Sequence, residues 1–515
     1  MNTKLFQTTP GGILLPANTT NEAGGAAYAR TDEEALAQFA VTGCFNGTFY
    51  VEADQQLASA LALAAKCSPE FVAKVAIYSR RQGLMKDMPA FLLATLAQRD
   101  SRLCARVFPL IIDNAKMLRN FVQAVRSGVT GRKSFGSSIK RLIRNWLSSK
   151  SEAQLFHASI GNKPSLADII KMVHPKPATA ERREFYAYLL GKQWKPDLMP
   201  PIVQQFEAFK SGNGDVPDCS FQFLSSLDLK PEQWKQIARN ATWQTLRMNL
   251  NTFARHGCME DAALVRTICQ RLVDPDEIRK AKAMPYQLMA AYLNVDAALP
   301  PGIKMSLAQT MEIACANVPS IDGQVVVGVD VSGSMGSALT GYRKGATSSM
   351  RCVDVAALIA CALVRKNPTA EVIPFDTSAY IGAGFAAGSI VDSAQRLSKF
   401  GGGGTSCELP LMYLNQQNKP VDLMVYVSDN ESWFNASGYT GRATGMAHQW
   451  RLLQKRCPNA KMVCIDLTPN KTAQVLNERN VANVGGFSDA VFDFIATFAS
   501  NNQQWADRIN VVPLP

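Results

Sequence analysis

From about residue 30 to 315, apolar residues recur at three- and four-residue spacing. The segments EEALAQFA, DQQLASALALAAK, PEFVAKVAIYSRRQ and MPAFLLATLAQR each read as an amphipathic helix of about 10–20 residues. Turn signals such as Cys67-Ser68-Pro69 and Arg81-Gln82-Gly83 divide them. No strand alternation interrupts the run, so the short helices are expected to stack in pairs as an α-solenoid. No sequence period is readable, and KSGNGDVPDCS at 210–220 reads as a loop. After about residue 320 the period changes. Short apolar runs appear as VVVGVDV (325–331), AEVIPFD (370–376), VDLMVYVSD (421–429) and AKMVCIDL (460–467). DVAALIACALVRK lies between the first two as a helix, and SDAVFDFIATFA forms another near the end. Near-continuous apolar strands alternating with helices predict a parallel sheet covered on both faces. The expected domains are thus a helical-repeat one over 1–320 and an α/β one over 321–515, meeting near IDGQ at 321–324.

In an open α/β sheet, ligands bind outside the carboxyl ends of the strands. Asp330 closes the first predicted strand, and Ser332 and Ser334 follow on alternate positions, so their hydroxyls can face one point. FGGGGTSC places Thr405 after four glycines, which let a backbone approach a ligand closely. VSDN places Asp429 at the end of another central strand. Two carboxylates and three hydroxyls make an all-oxygen donor set suited to Mg²⁺ or another hard divalent cation. Thiolate and imidazole are missing, which argues against zinc or copper. With so few protein charges, a coordination position is left for a carboxylate or phosphate of a partner. The alternative is a strand and its turn with no ion.

Charge alters the reading of the helical part. The net charge is +12, yet residues 321–515 hold 16 Lys+Arg against 15 Asp+Glu, while 1–320 holds 38 against 27. Such asymmetry points the helical part toward a polyanion. Residues 114–151 contain no acidic side chain and nine basic ones, among them Arg126, Arg132, Lys133, Lys140, Arg141 and Arg144. In SSIKRLIRNWLSS, Ile139, Leu142, Ile143, Trp146 and Leu147 follow helical spacing toward a core, leaving Lys140, Arg141 and Arg144 on the other face. A charged run is ordinarily a solvated face, but solvated faces mix signs. This one does not, which favours nucleic acid. A membrane surface fits poorly, because the apolar face of that helix reads as core. No helix-turn-helix, zinc-finger or RNP motif is present.

The 12 cysteines are spread without CxxC pairs, in apolar contexts such as IACAL and MVCID, so reduced buried thiols are expected. The start MNTKLFQTTPGGILLP lacks a signal-peptide pattern, and the longest apolar run, 355–364, is half a bilayer span. A cytoplasmic protein is expected.

The set Asp330, Ser332, Ser334, Thr405 and Asp429 resembles the metal-ion-dependent adhesion site of von Willebrand factor A domains: DxSxS, then a Thr, then an Asp, in that order. The chain as a whole resembles the Ro autoantigen, or TROVE-domain, family. The resemblance is carried by NEAGGAAY, FAVTGCFNGTFY (39–50), IKRLIRNWL, KMVHPKP (171–177), ATWQTLRMNLNTFARHG (241–257), AMPYQLMAAY (283–292), GGTSCELPLMY (403–413) and VSDNES (427–432). It implies a ring of HEAT-like helical repeats closed by a von Willebrand A-type doubly wound parallel sheet. It further implies a ribonucleoprotein of RNA quality control, with Y or Y-like non-coding RNA on a basic outer surface and single-stranded 3′ ends of misfolded RNA in a central hole. The RNA-contacting residues it implies are Lys140, Arg141, Arg144, His174 and Lys176, and an exoribonuclease or another protein could use the metal site of a monomer. The 209–220 loop departs from the family pattern, so contacts there do not carry over.

Catalysis is not expected. A DxDxT phosphoryl-transfer site would need an aspartate where Ser332 stands, and a two-metal nuclease would want more carboxylates than the two that converge. Ser-His-Asp hydrolysis is poorly supported too: His157, His174 and His256 lie in the helical part, and His448 sits in no recognisable motif. The competing function is a magnesium-dependent adhesion protein whose ligand is a protein carboxylate.

Overall fold

The computed structural model describes residues 14–43, 45–131, 133–161, 163–281, 283, 285–315, 318–341, 350–382, 388–488, 490–501 and 504–515. Helices begin where the sequence offers a cap. Thr31 and Glu34 exchange bonds ahead of the helix Asp32–Thr42, Ser68 caps Pro69–Arg81, and Asp100 caps Ser101–Ile111. Each cap satisfies N–H groups that a helix start leaves without partners. The four segments first read as helices fall in Asp32–Thr42, Ala53–Lys66, Pro69–Arg81 and Asp87–Arg99, and helices continue to Pro301–Cys315. The loop expected at 210–220 follows the helix Pro201–Lys210 and forms turns and bends only.

Eight strands are described: β1 Thr19–Thr20, β2 Ala26–Ala29, β3 Val325–Asp330, β4 Glu371–Phe375, β5 Leu423–Ser428, β6 Lys461–Asp466, β7 Thr472–Ala473 and β8 Val481–Gly485. A five-stranded sheet has the order β4-β3-β5-β6-β8, and every pairing in it is parallel. β3 and β5 are buried at every residue. That explains why their sequences run apolar without alternation: both faces are covered. On one face Met424, Tyr426, Met462 and Cys464 pack with the fully buried Trp450 and with Leu411. The helix Cys352–Lys366, buried from Cys352 through Val364, packs against β3 and β5. The four strands and the long helix that the sequence predicts are all present. β8 is additional, and the small antiparallel sheet β1-β2-β7 has no counterpart in the sequence reading.

The chain packs as two compact units. One comprises 1–88, 283–290 and 311–512; the other comprises 89–282, 291–310 and 513–515. Helix gives way to strand between Cys315 and Val325, close to 321–324, while packing groups the first helices with the sheet.

That grouping has a visible cause in the first unit. β2 adds to β7, and the Arg30 guanidinium donates to Asp466 at the end of β6 and to the Thr472 carbonyl at 2.9 Å. Both charged side chains are almost wholly buried. Asn21 reaches the Ser432 carbonyl at 2.7 Å, and Ala23 N–H reaches Glu431 at 3.2 Å. Gly25 is required here, since a Cβ would lie 2.0 Å from the Ser432 oxygen. Residues 14–30 thus strap across the carboxyl end of the sheet.

Candidate functional site

The strand ends build a site around two buried carboxylates. Asp330 ends β3 and is fully buried. Its two oxygens accept from Ser332 N–H at 2.9 Å and from the Ser428 hydroxyl at 2.5 Å, which joins the ends of β3 and β5. Ser332 Oγ and Ser334 Oγ lie 3.2 Å apart. The Asp429 carboxylate accepts from Glu431 N–H at 3.3 Å. Thr405 is buried, and its carbonyl accepts from Trp433 and Phe434 N–H at 3.0 Å each, so its loop is held by the segment that follows Asp429.

The glycine-rich loop reaches the site by close backbone approach. Gly402 N–H bonds the Val331 carbonyl at 2.8 Å, and Gly333 N–H bonds the Gly403 carbonyl at 2.9 Å. At Gly401, with φ of 75°, a Cβ would stand 2.3 Å from the Val331 oxygen. Asp376, just past β4, fixes the other side of the loop: its carboxylate accepts from Gly403 N–H at 3.1 Å and its carbonyl from Ser406 N–H at 3.0 Å. The sequence reading did not single out Asp376, although FD at a strand end is the same signal that flagged Asp330.

Burial first, and then the Asp429 charge, push the Asp330 carboxyl up to about 7. Burial raises Asp429 as well. At Asp466, Arg30 opposes the raising effect of burial by sitting against the carboxylate. Among the described residues, no cationic side chain forms an ion pair with Asp330 or Asp429, so protons or an added cation would relieve their repulsion. The hydroxyl spacing suits such a cation. Oxygens on adjacent octahedral positions around Mg²⁺ are roughly 3.0 Å apart when each bond is about 2.1 Å, close to the 3.2 Å between the serine oxygens. Among the described residues, no three His, Cys, Asp or Glu side chains form a metal-holding group. A cation here would rest on hydroxyls as much as on carboxylates, and Asp330, Ser332, Ser334, Thr405 and Asp429 are the residues that would hold it.

The basic residues lie in the second unit. The helix Leu166–Val173 packs against both Ala115–Arg126 and Ser137–Ser148. In Ser137–Ser148, Ile139, Ile143, Trp146 and Leu147 are buried and Leu142 is half-buried, as the spacing predicts. Arg141 is exposed and Lys140 half-buried. Arg144 is partly a structural residue, since its Nε donates to the Val173 carbonyl at 2.5 Å. Directly after Val173, exposed His174 ends the helix in a left-handed conformation (φ 48°) and donates its N–H to the Ile170 carbonyl at 2.9 Å. Lys176 is exposed beyond it. Exposed Arg126 lies with its guanidinium 3.1 Å from the Met172 sulfur. Lys133 is exposed with its stem folded over Gly128, and Arg132 lies outside the described residues.

A groove of about 630 Å³ runs beside Arg126, and Lys163 and Lys171 join it there. The sequence pattern did not mark these two lysines, because a capped helix separates them from the basic run. The acid in the groove, Asp168, is turned to capping duty by Ser165, whose N–H and hydroxyl donate to it at 2.9 and 2.7 Å. Not every basic residue of the run faces outward. Arg119 donates to the Ala158 carbonyl at 3.2 Å and is wedged against Gly161, with burial lowering its pKa.

The fold is a helical part joined to a von Willebrand A-type parallel sheet. Residues 324–499 match the family described as the Ro60 vWA domain. The chain is similar over 93% of its length, and 94% of the relative's, to the RNA-binding protein RO60 of Deinococcus radiodurans, at 24% identity. The crystal structure of the Deinococcus radiodurans RO (RSR) protein superposes with a TM-score of 0.60, covering 91% of this chain and 99% of that one at 20% identity. The likeness to the Ro family therefore runs nearly the length of the chain, through the helical part as well as the sheet.

Proposed function

We propose that this chain is a non-catalytic RNA-binding protein, the protein part of a small ribonucleoprotein. The observation that carries the reading is the joining of Arg126, Arg144, His174, Lys163 and Lys171 around one shared helix, with Lys140 and Arg141 beside them. A surface with guanidinium and ammonium groups at several heights, and its one acid already capped, suits the phosphates of a folded RNA. The name of the Deinococcus relative supports the same ligand class. Resemblance to the Ro family makes a structured Y-like RNA the proposed ligand of this surface, with single-stranded ends of misfolded RNA a second one. The proposed setting is the cytoplasm, in keeping with eleven described cysteines that are all free. No helix among the described residues is long and apolar enough to cross a membrane.

Crosslinking tests the surface. Photocrosslinked RNA is expected to attach to peptides spanning 126–144 and 163–176. Crosslinks confined to residues 321–515 would contradict the assignment.

At the strand ends we propose Mg²⁺ with an open position for a partner's carboxylate, from an exoribonuclease or another protein. The pair of buried carboxylates supports this. Because burial favours the protonated form of each, the stability they contribute is fullest in acid and is lost as pH rises, for Asp330 through about 7. An ion replaces those protons, so binding strengthens as they leave. The rise in melting temperature on adding Mg²⁺ is expected to be small at pH 5.5 and several degrees larger at pH 8. Equal rises at both values would contradict the site.

A further inference from the structure

Beside the glycine-rich loop, Trp433 and Phe434 stand exposed at 52% and 40%, large aromatic rings that a folded chain ordinarily covers. They line a pocket of about 150 Å³ together with Tyr439, Asn435, Gln474 and Glu408. Its walls are fixed by their own bonds. Asn435 Nδ2 donates to the Tyr439 carbonyl at 2.7 Å, and Tyr439 N–H donates to Asn435 Oδ1 at 3.1 Å, which folds residues 435–439 on themselves. The Tyr439 ring stacks on His448 at 4.2 Å. Trp433 lies so close over Gly404 that a Cβ there would collide with the indole, and a Cβ at Gly445 would collide with the Glu408 carboxylate. Glu408 is only 3% exposed. Its Oε1 accepts from Ser437 N–H at 2.8 Å and its Oε2 from the Ser437 hydroxyl at 2.6 Å. Both bonds come from a neutral residue, and among the described residues no ion pair reaches this carboxylate.

We propose that this pocket receives the arginine side chain of a protein partner. A carboxylate buried among neutral partners is costly, and an entering cation offsets that cost. A carboxylate has about four acceptor sites, so each Glu408 oxygen keeps one after its bond to Ser437. A guanidinium offers N–H groups in a planar fork that matches two carboxylate oxygens, and its plane stacks on aromatic faces. A lysine ammonium lacks the fork, and a trimethylated one has no N–H group to give. The volume falls below the roughly 300–1,000 Å³ of small-molecule sites, so it takes the end of one side chain and not a nucleotide. Among the described residues no lysine or arginine lines it, so the α-carboxylate of a free amino acid finds no counter-charge there. The pocket does not depend on a bound metal ion. It does adjoin the strand ends, since Trp433 N–H bonds the Thr405 carbonyl at 3.0 Å.

The test uses the full-length chain with EDTA present, titrated with small capped probes and followed by NMR of the probe. Acetyl-arginine amide is expected to bind about 10-fold or more tightly than acetyl-citrulline amide, which keeps the shape and loses the charge, and than acetyl-lysine amide. Free L-arginine is expected to bind no more tightly than the capped form. These comparisons need no variant. Glu408→Gln and Trp433→Ala are each expected to weaken acetyl-arginine amide about 10-fold. Trp433 is half exposed and its backbone bond to Thr405 survives the change, so that variant reads the pocket even if Glu408→Gln folds poorly. No binding, equal binding of the arginine and citrulline probes, or unchanged affinity in Trp433→Ala with native melting would overturn the proposal. Preference for acetyl-lysine amide, acetyl-trimethyllysine amide or free L-arginine would overturn the assignment to a partner's arginine.

Discussion

Replacing Lys140, Arg141 and Arg144 together by glutamate is expected to weaken binding of a structured RNA about 100-fold or more near 0.15 M salt. Each lost phosphate contact removes counterion release, so the slope of log affinity against log salt should shrink by roughly 0.7–0.9 per contact, or about 2–3 for the triple variant. The three residues are not equivalent. Arg141 is exposed and Lys140 half-buried on the same helix, whereas Arg144 also braces the Val173 carbonyl ahead of His174. A Lys140→Glu, Arg141→Glu double variant keeps that brace and isolates the charge effect. It should retain native melting and show about two-thirds of the triple variant's slope change. Unaltered affinity in the double and triple variants, with melting unchanged, would remove this helix from the RNA surface.

Asp330→Ala is expected to abolish the stabilisation that Mg²⁺ confers while sparing RNA affinity. An ion present at about 100 times its dissociation constant stabilises the folded state by about 2.7 kcal/mol, or roughly 5 °C in melting temperature for a domain of this kind. The variant should show none of that rise. Without Mg²⁺ its stability should change little, because two effects oppose: Ser428 and Ser332 N–H lose their acceptor, and Asp429 loses a buried like charge. A Mg²⁺ response equal to that of the unaltered protein would show that the ion binds elsewhere. Loss of RNA affinity with native melting would show that the two sites are linked.

Much of this was legible in the sequence. VVVGVDV and VDLMVYVSD read as buried parallel strands because nothing but apolar residues fits between two covered faces. The polar residues at their ends, Asp330 and Asp429, then stand out as misplaced for a core and well placed for a ligand. The helix Ser137–Ser148 was legible for the same reason, its apolar stripe and basic face alternating with the helical turn. β8, with the sequence VANVG, was not: five small residues flanked by Asn and Gly carry little periodicity. β1, β2 and β7 are two to four residues long, and tertiary pairing rather than local pattern makes them strands. Arg30 and Asp376 share another cause. Each acts through a partner brought near by folding, and for Arg30 that partner lies hundreds of residues away. Arg119 was misleading in the opposite sense, since within a run of unpaired basic residues its use as an internal brace leaves no sequence mark.

The central claim is that the helical part holds a particular structured RNA, and RNA recovered with the protein from its host tests it most directly. Sequencing that RNA is expected to return one or a few discrete, stably folded small non-coding species, lost from the preparation of the Lys140, Arg141 and Arg144 variant and retained with Asp330→Ala. Recovery of only a random sample of cellular RNA, the same in both variants, would contradict it.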